Sequence, residues 1–318
     1  MSTSMSVSVT AAASSSLPPL ARRRSPPASR VPFRSLRSLP RLLSSARTLL
    51  RPAAAMATDG AAPAASSKRG LLIFEAEEDL AVSLAMYTAE LSEKFAAERG
   101  AFTVVVSGGS LIKALRKLAE PPYLETVDWS KWHVFWVDER VVPKDHADSN
   151  YKLAYEGLLS KVPIPAGQVY AINDALSAEG AADDYETILR QLVKNGVLAM
   201  SAATGFPKFD VMLLGMGPDG HIASLFPGHP LVNEKQKWVA HITDSPKPPP
   251  ERITFTFPVI NSSAYVAMVV IGAGKAGAVQ KALSDKKTSD LLPVEMAVLQ
   301  DGEFTWFADQ EAVSMVRN

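Results

Sequence analysis

The sequence predicts an α/β fold: a doubly wound, mostly parallel sheet with helices on both faces. Three observations predict it. From residue 70 onward, short apolar runs alternate with longer stretches of helical period. Several runs, such as Val104-Val105-Val106 and 266–271, are continuously apolar, which marks strands covered on both faces. The roughly 250 residues involved suffice for one core, and no internal repeat divides them.

The elements follow in order. Leu71-Leu72-Ile73-Phe74 supplies the first strand (71–74), and a helical period over 77–98 the first helix. A strand over 103–107 runs into a helix over 110–119, and the Trp-rich stretch 132–138 forms the next strand. Asp148-Ser149-Asn150 is suited to cap the helix expected over 149–159. Strand 169–172, helix 178–195 and the buried strand 210–214 come next. Strands over 238–242, 253–257, 264–271 and 305–308, with a helix over 274–285, complete the set. Pro246-Lys247-Pro248-Pro249-Pro250 reads as a rigid loop leading into a strand.

Composition narrows the function. The 318 residues contain no cysteine, which excludes disulfides, thiolate metal centres and cysteine nucleophiles. No apolar run reaches the eighteen or so residues of a membrane helix, so no membrane partner is expected. The formal charge is zero, yet residues 1–58 carry nine Arg and no acid. That leaves 24 basic residues against 33 acidic ones from Asp59 onward, a balance of −9 that opposes nucleic-acid binding.

Residues 1–56 hold thirteen Ser, nine Arg and prolines at 18, 19, 26, 27, 32, 40 and 52. They read as a disordered transit peptide for the plastid, with the organelle import machinery as partner. Met56 offers a second start that would give a cytosolic form. Residues 57–69 are an Ala/Ser/Gly linker, and 70–318 form a single catalytic domain.

In such a fold ligands sit beyond the C-terminal ends of the strands, and four strand ends carry chemistry. Ser107-Gly108-Gly109-Ser110 opens a helix, and its amides and hydroxyl suit a phosphate. Asp138-Glu139-Arg140 closes the Trp-rich strand. Gly215-Met216-Gly217-Pro218-Asp219-Gly220-His221 is a tight loop that aims Asp219 and His221 into one space, and His suits proton transfer near neutral pH. Arg252, and Lys275 in Gly272-Ala273-Gly274-Lys275-Ala276, place cations at strand margins. His221 and His229 have no common zinc spacing, so neither metal nor cofactor is expected.

Together these motifs resemble the 6-phosphogluconolactonase family. The resemblance rests on Ser-Gly-Gly-Ser, Trp-Val-Asp-Glu-Arg-Val-Val-Pro with Asp-Ser-Asn-Tyr, Leu-Gly-Met-Gly-Pro-Asp-Gly-His-Ile-Ala-Ser-Leu-Phe-Pro, Lys-Pro-Pro-Pro-Glu-Arg-Ile-Thr and Gly-x-Gly-Lys-Ala. It implies a fold like ribose-5-phosphate isomerase and glucosamine-6-phosphate deaminase. The implied reaction is hydrolysis of 6-phospho-D-glucono-1,5-lactone, a sugar-phosphate lactone, in the oxidative pentose phosphate pathway.

Two alternatives are an amino-sugar phosphate deaminase and a non-catalytic sugar-phosphate sensor. The deaminase loop continues Phe-Asn-Glu-Pro after its His and its acidic strand end reads Asp-Glu-Tyr. Here Ser224-Leu225-Phe226-Pro227 and Asp138-Glu139-Arg140 stand instead. A sensor would need a DNA-binding module, which the sequence lacks.

On this reading His221 is the general base. Asp219, Asp138 or Glu139 orients it, and Arg140 or amides of 215–220 meet the oxyanion. Gly108, Gly109 and Ser110, with Arg252 or Lys275, hold the phosphate. The sequence leaves open which cation meets phosphate and which meets oxyanion.

Overall fold

The structure, a computed structural model, describes residues 47–48, 68–284 and 289–316. The segments expected as transit peptide and linker lie outside the described residues, except that Arg47–Thr48 pairs antiparallel with Ile73 and Leu72, and that Lys68 and Arg69, expected in the linker, open the strand Lys68–Phe74. That short strand falls inside the segment expected to carry no element.

Seven parallel strands form the central sheet. In spatial order they are Lys68–Phe74, Glu303–Asp309, Tyr265–Val270, Val211–Gly215, Phe102–Val106, Trp132–Trp136 and Val169–Tyr170. From Phe102–Val106 the chain builds outward through Trp132–Trp136 and Val169–Tyr170. It then returns to Val211–Gly215 on the other side and winds the opposite way. The C-terminal ends of Phe102–Val106 and Val211–Gly215 therefore flank a topological switch point, where such sheets bind ligands.

The continuous apolar runs are buried on both faces, as expected. Val104, Val106, Leu213 and Val269 face one core with Leu80, Leu84 and Phe95 of the helix Glu77–Arg99. Val105, Met212, Leu214 and Met268 face another with Tyr185 and Leu189 of the helix Ala178–Lys194. Local chemistry sets the helix ends. Glu77, Glu78 and Asp79 sit in the first turn of Glu77–Arg99, where the helix dipole favours acids, and Gly100 closes it at φ 76°. Ser177 caps Ala178–Lys194 by accepting from Gly180 N.

Two expectations need correction. The stretch 132–138 is not one strand but forks at Val137, whose N–H donates to Val106 O at 3.0 Å while its carbonyl accepts from Phe255 N at 2.7 Å. Asp138–Arg140 thereby joins a second, antiparallel sheet with Arg252–Phe255 and Val239–Ile242. The strands expected at 238–242 and 253–257 thus exist but lie outside the central sheet. Helix 110–119 is also α-helical only over Ser110–Ala114 before tightening to a 3₁₀ turn, Leu115–Ala119.

Candidate active site

The loop after Val211–Gly215 builds the centre of the site. Gly217 N donates to His221 O at 2.9 Å and Gly220 N donates to Gly217 O at 3.0 Å, closing a tight turn. Gly220 has φ +80°, and Ala223 takes φ 52° without being glycine. The turn presses two side chains together: His221 Nδ1 lies 2.6 Å from Asp219 Oδ1. Gly217 makes room for them, because a Cβ there would fall 2.0 Å from His221 Cε1 and 2.6 Å from Asp219 Oδ1. The Phe226 ring packs 4.7 Å from the imidazole, centroid to centroid.

A third group completes the pair. Lys247 Nζ donates to Asp219 Oδ1 at 2.9 Å and lies 3.2 Å from His221 Nδ1. Burial alone would raise the Asp219 carboxyl, but the bonds from Lys247 and His221 outweigh it and hold the group at about 2. The His221 side chain is 18% exposed. Burial pushes the imidazole below its ordinary value, helped by the Lys247 charge and opposed by Asp219. Lys247 is the participant that reading the sequence missed. It stood inside the proline motif, where a cation among prolines gives no local signal of a distant partner.

The structure also chooses among the acids. Asp138 Oδ2 accepts from Ser224 Oγ at 2.7 Å. Glu139 accepts from three backbone amides, Arg140 N and Asn150 N at 2.8 Å and Tyr151 N at 2.7 Å. It thereby anchors the start of the helix Asn150–Gly157, while burial pushes its carboxyl up to about 7. Neither acid hydrogen-bonds to His221; of the three acids expected to orient it, Asp219 is the one bonded to the imidazole.

Arg252 also departs from expectation as a phosphate holder. The residue is 3% exposed. Its Nε donates to Pro249 O, its Nη2 to Lys247 O and Pro248 O, each at 3.0 Å, and its Nη1 to Ser224 Oγ at 3.3 Å. Four of its five donors are thus committed inside the protein, and it clamps the proline loop to the His221 loop.

The remaining candidates converge on the same face. Ser107 Oγ accepts from Gly215 N at 3.2 Å, tying the two loops across the switch point. Gly108 packs so closely on Asn150 that a Cβ would meet its Oδ1 at 1.9 Å, and Asn150 Nδ2 donates to Asp138 O at 3.0 Å. Gly109 and Ser110 are exposed beside it. Arg140 stands opposite Arg252 in the antiparallel register. Its Nη1 donates to Asp148 O at 2.8 Å, and its Nε is buried with no hydrogen-bond partner. Lys275 is half-buried, and burial followed by the Lys247 charge lowers its ammonium while Asp219 opposes the shift. The loop amides of Gly215, Gly217 and Gly220, expected as oxyanion donors, are already bonded within the fold.

A sequence profile described as glucosamine-6-phosphate isomerases/6-phosphogluconolactonase matches residues 75–306. The chain belongs to this family. A probable chloroplastic 6-phosphogluconolactonase of Oryza sativa subsp. indica is 76% identical over 324 residues, covering 99% of each chain. A chloroplastic 6-phosphogluconolactonase of Arabidopsis thaliana is 66% identical over 247 residues, covering 78% of this chain and 75% of its own. Among solved structures, the 6-phosphogluconolactonase of Thermotoga maritima is similar at TM-score 0.63 and 30% identity, covering 76% of this chain and 100% of that one. A monomeric glucosamine-6-phosphate deaminase shares the family's fold at TM-score 0.61 and 19% identity, covering 77% and 99% of the two chains.

Proposed function

We propose that this chain hydrolyses 6-phospho-D-glucono-1,5-lactone to 6-phospho-D-gluconate, the second step of the oxidative pentose phosphate pathway, in the plastid stroma. The observation that carries this reading is the Asp219–His221 pair, 2.6 Å apart at the switch point of a lactonase-like chain. A δ-lactone has an electrophilic carbonyl and a competent leaving alkoxide, so a positioned base suffices to activate water.

Water attacks C1 while His221 Nε2 takes its proton, giving a tetrahedral oxyanion and an imidazolium stabilised by Asp219. Collapse of the intermediate breaks the bond from C1 to the ring oxygen, and the imidazolium returns the proton to that oxygen. The product acid then ionises to 6-phosphogluconate. Arg140, with its unpartnered Nε, suits the developing oxyanion. Gly108, Gly109, Ser110 and Lys275 suit the phosphate, whose remote binding orients the reactive end.

Phe226 favours this over ammonia release, because it stands where the deaminase motif has its Glu and packs on the imidazole instead. Among the described residues no helix is long and apolar enough to cross a membrane. Residues 1–56 are proposed as the segment that engages the import machinery, in keeping with the chloroplastic relatives.

The test is acid release from freshly generated lactone, corrected for spontaneous hydrolysis, beside ammonia release from glucosamine 6-phosphate. Catalysed lactone opening without ammonia is the expected result. Ammonia release without lactone opening would reverse the assignment.

A further inference from the structure

The proton on His221 can be located from its neighbours. Two acceptor atoms do not approach to 2.6 Å without a proton between them, and Asp219 is held ionised. The proton therefore sits on Nδ1 and is donated to Asp219 Oδ1. Lys247 then has no acceptor at Nδ1. Its bond goes to the same carboxylate oxygen at 2.9 Å, while its charge rests 3.2 Å from the ring.

The loop is built to keep it there. Arg252 grips the carbonyls of Lys247, Pro248 and Pro249. Ser245 Oγ donates to Lys247 O at 2.8 Å and accepts from Lys247 N at 3.3 Å. A flexible lysine whose backbone is fixed at both sides loses less entropy on making its contact.

We infer that Lys247 is a positioning residue for the base: its ammonium pins Asp219 against Nδ1 and so fixes the tautomer whose Nε2 carries the free lone pair. This rests on His221 being the base of the reaction proposed above. The groups facing the imidazole are Asp219 and Lys247 at Nδ1, the Phe226 ring, and the charge of Asp138, itself bonded to Ser224. Lys275 adds a second cation close to Lys247 and Asp219. A positive charge beside the ring opposes a second proton, so Lys247 keeps the imidazole neutral and ready to accept one at Nε2.

The test is an imidazole NMR titration of the ligand-free protein, with the His221 signals assigned among five histidines by their loss in His221→Ala. Lys247→Met and Lys247→Gln should each raise the His221 midpoint by about one pH unit and mix the two neutral tautomers. Lys247→Arg, which keeps the charge, should titrate near the parent. An unchanged midpoint and tautomer in the folded neutral variants would overturn the inference, including the case in which only KM for the lactone rises and Lys247 serves substrate binding alone. Because no substrate is present, the outcome does not depend on which reaction the enzyme catalyses.

Discussion

His221 is the proposed base, and its removal separates base from cradle. His221→Ala should lower kcat by roughly 10²–10⁴ while affinity for 6-phosphogluconate stays nearly unchanged, since proton transfer is lost and the phosphate contacts remain. Steady-state kinetics beside equilibrium binding of the product check this, and a folded variant with near-parent kcat would remove His221 from the mechanism. The same residue sets the pH profile. Burial and Lys247 hold the imidazole below its ordinary 6.5, so the basic form persists to lower pH than for a solvated histidine. The acidic limb of kcat/KM should accordingly fall below pH 6.5, whereas a limb at or above that value would contradict the geometry. The His–Asp pairing was legible because three glycines and a proline crowd two chemically active residues into one short loop. Lys247 was not, because only the register of the second sheet brings the proline loop over that pair.

At the scale of elements, Glu139 joins a strand to a helix. Its carboxylate accepts from the amide of Arg140 in its own strand and from those of Asn150 and Tyr151, which the start of the helix Asn150–Gly157 would otherwise leave without partners. Glu139→Ala should cost about 1–3 kcal/mol of stability, the penalty of leaving buried donors unsatisfied, read as a lower midpoint in denaturant unfolding. The His221 titration should stay where it is, and a shifted titration at unchanged stability would restore Glu139 to the catalytic pair. Arg252 teaches the same lesson about elements. A cation at a strand margin reads as a phosphate ligand in sequence, yet burial among the carbonyls of its own loop turns it into a clamp. Isolated charges announce that they need partners, but not which partners they find.

For the whole molecule, the named site groups all lie between Gly108 and Lys275, so the N-terminal segment is expected to serve delivery rather than catalysis. A chain beginning at Met56 should keep the parent kcat and KM and remain cytosolic in plant cells, while residues 1–56 fused to a fluorescent protein should enter plastids. A diffuse cytosolic signal from that fusion would defeat the location. The sequence by itself determined the layered α/β class, the mostly parallel sheet and the four strand ends singled out as candidates for chemistry. Those features are written locally: apolar runs buried on both faces, helical period, and glycines where backbone must turn or approach. Only the tertiary structure decided that Asp138–Arg140 leaves the central sheet, that Asp138 and Glu139 bond elsewhere than to the imidazole, and that Lys247 reaches Asp219. These depend on contacts between segments separated along the chain, such as the bond from Phe255 N to Val137 O and that from Lys247 Nζ to Asp219 Oδ1. A partner at that separation leaves no periodic trace in the chain, because its distance in space is set by the fold and not by its place in the sequence.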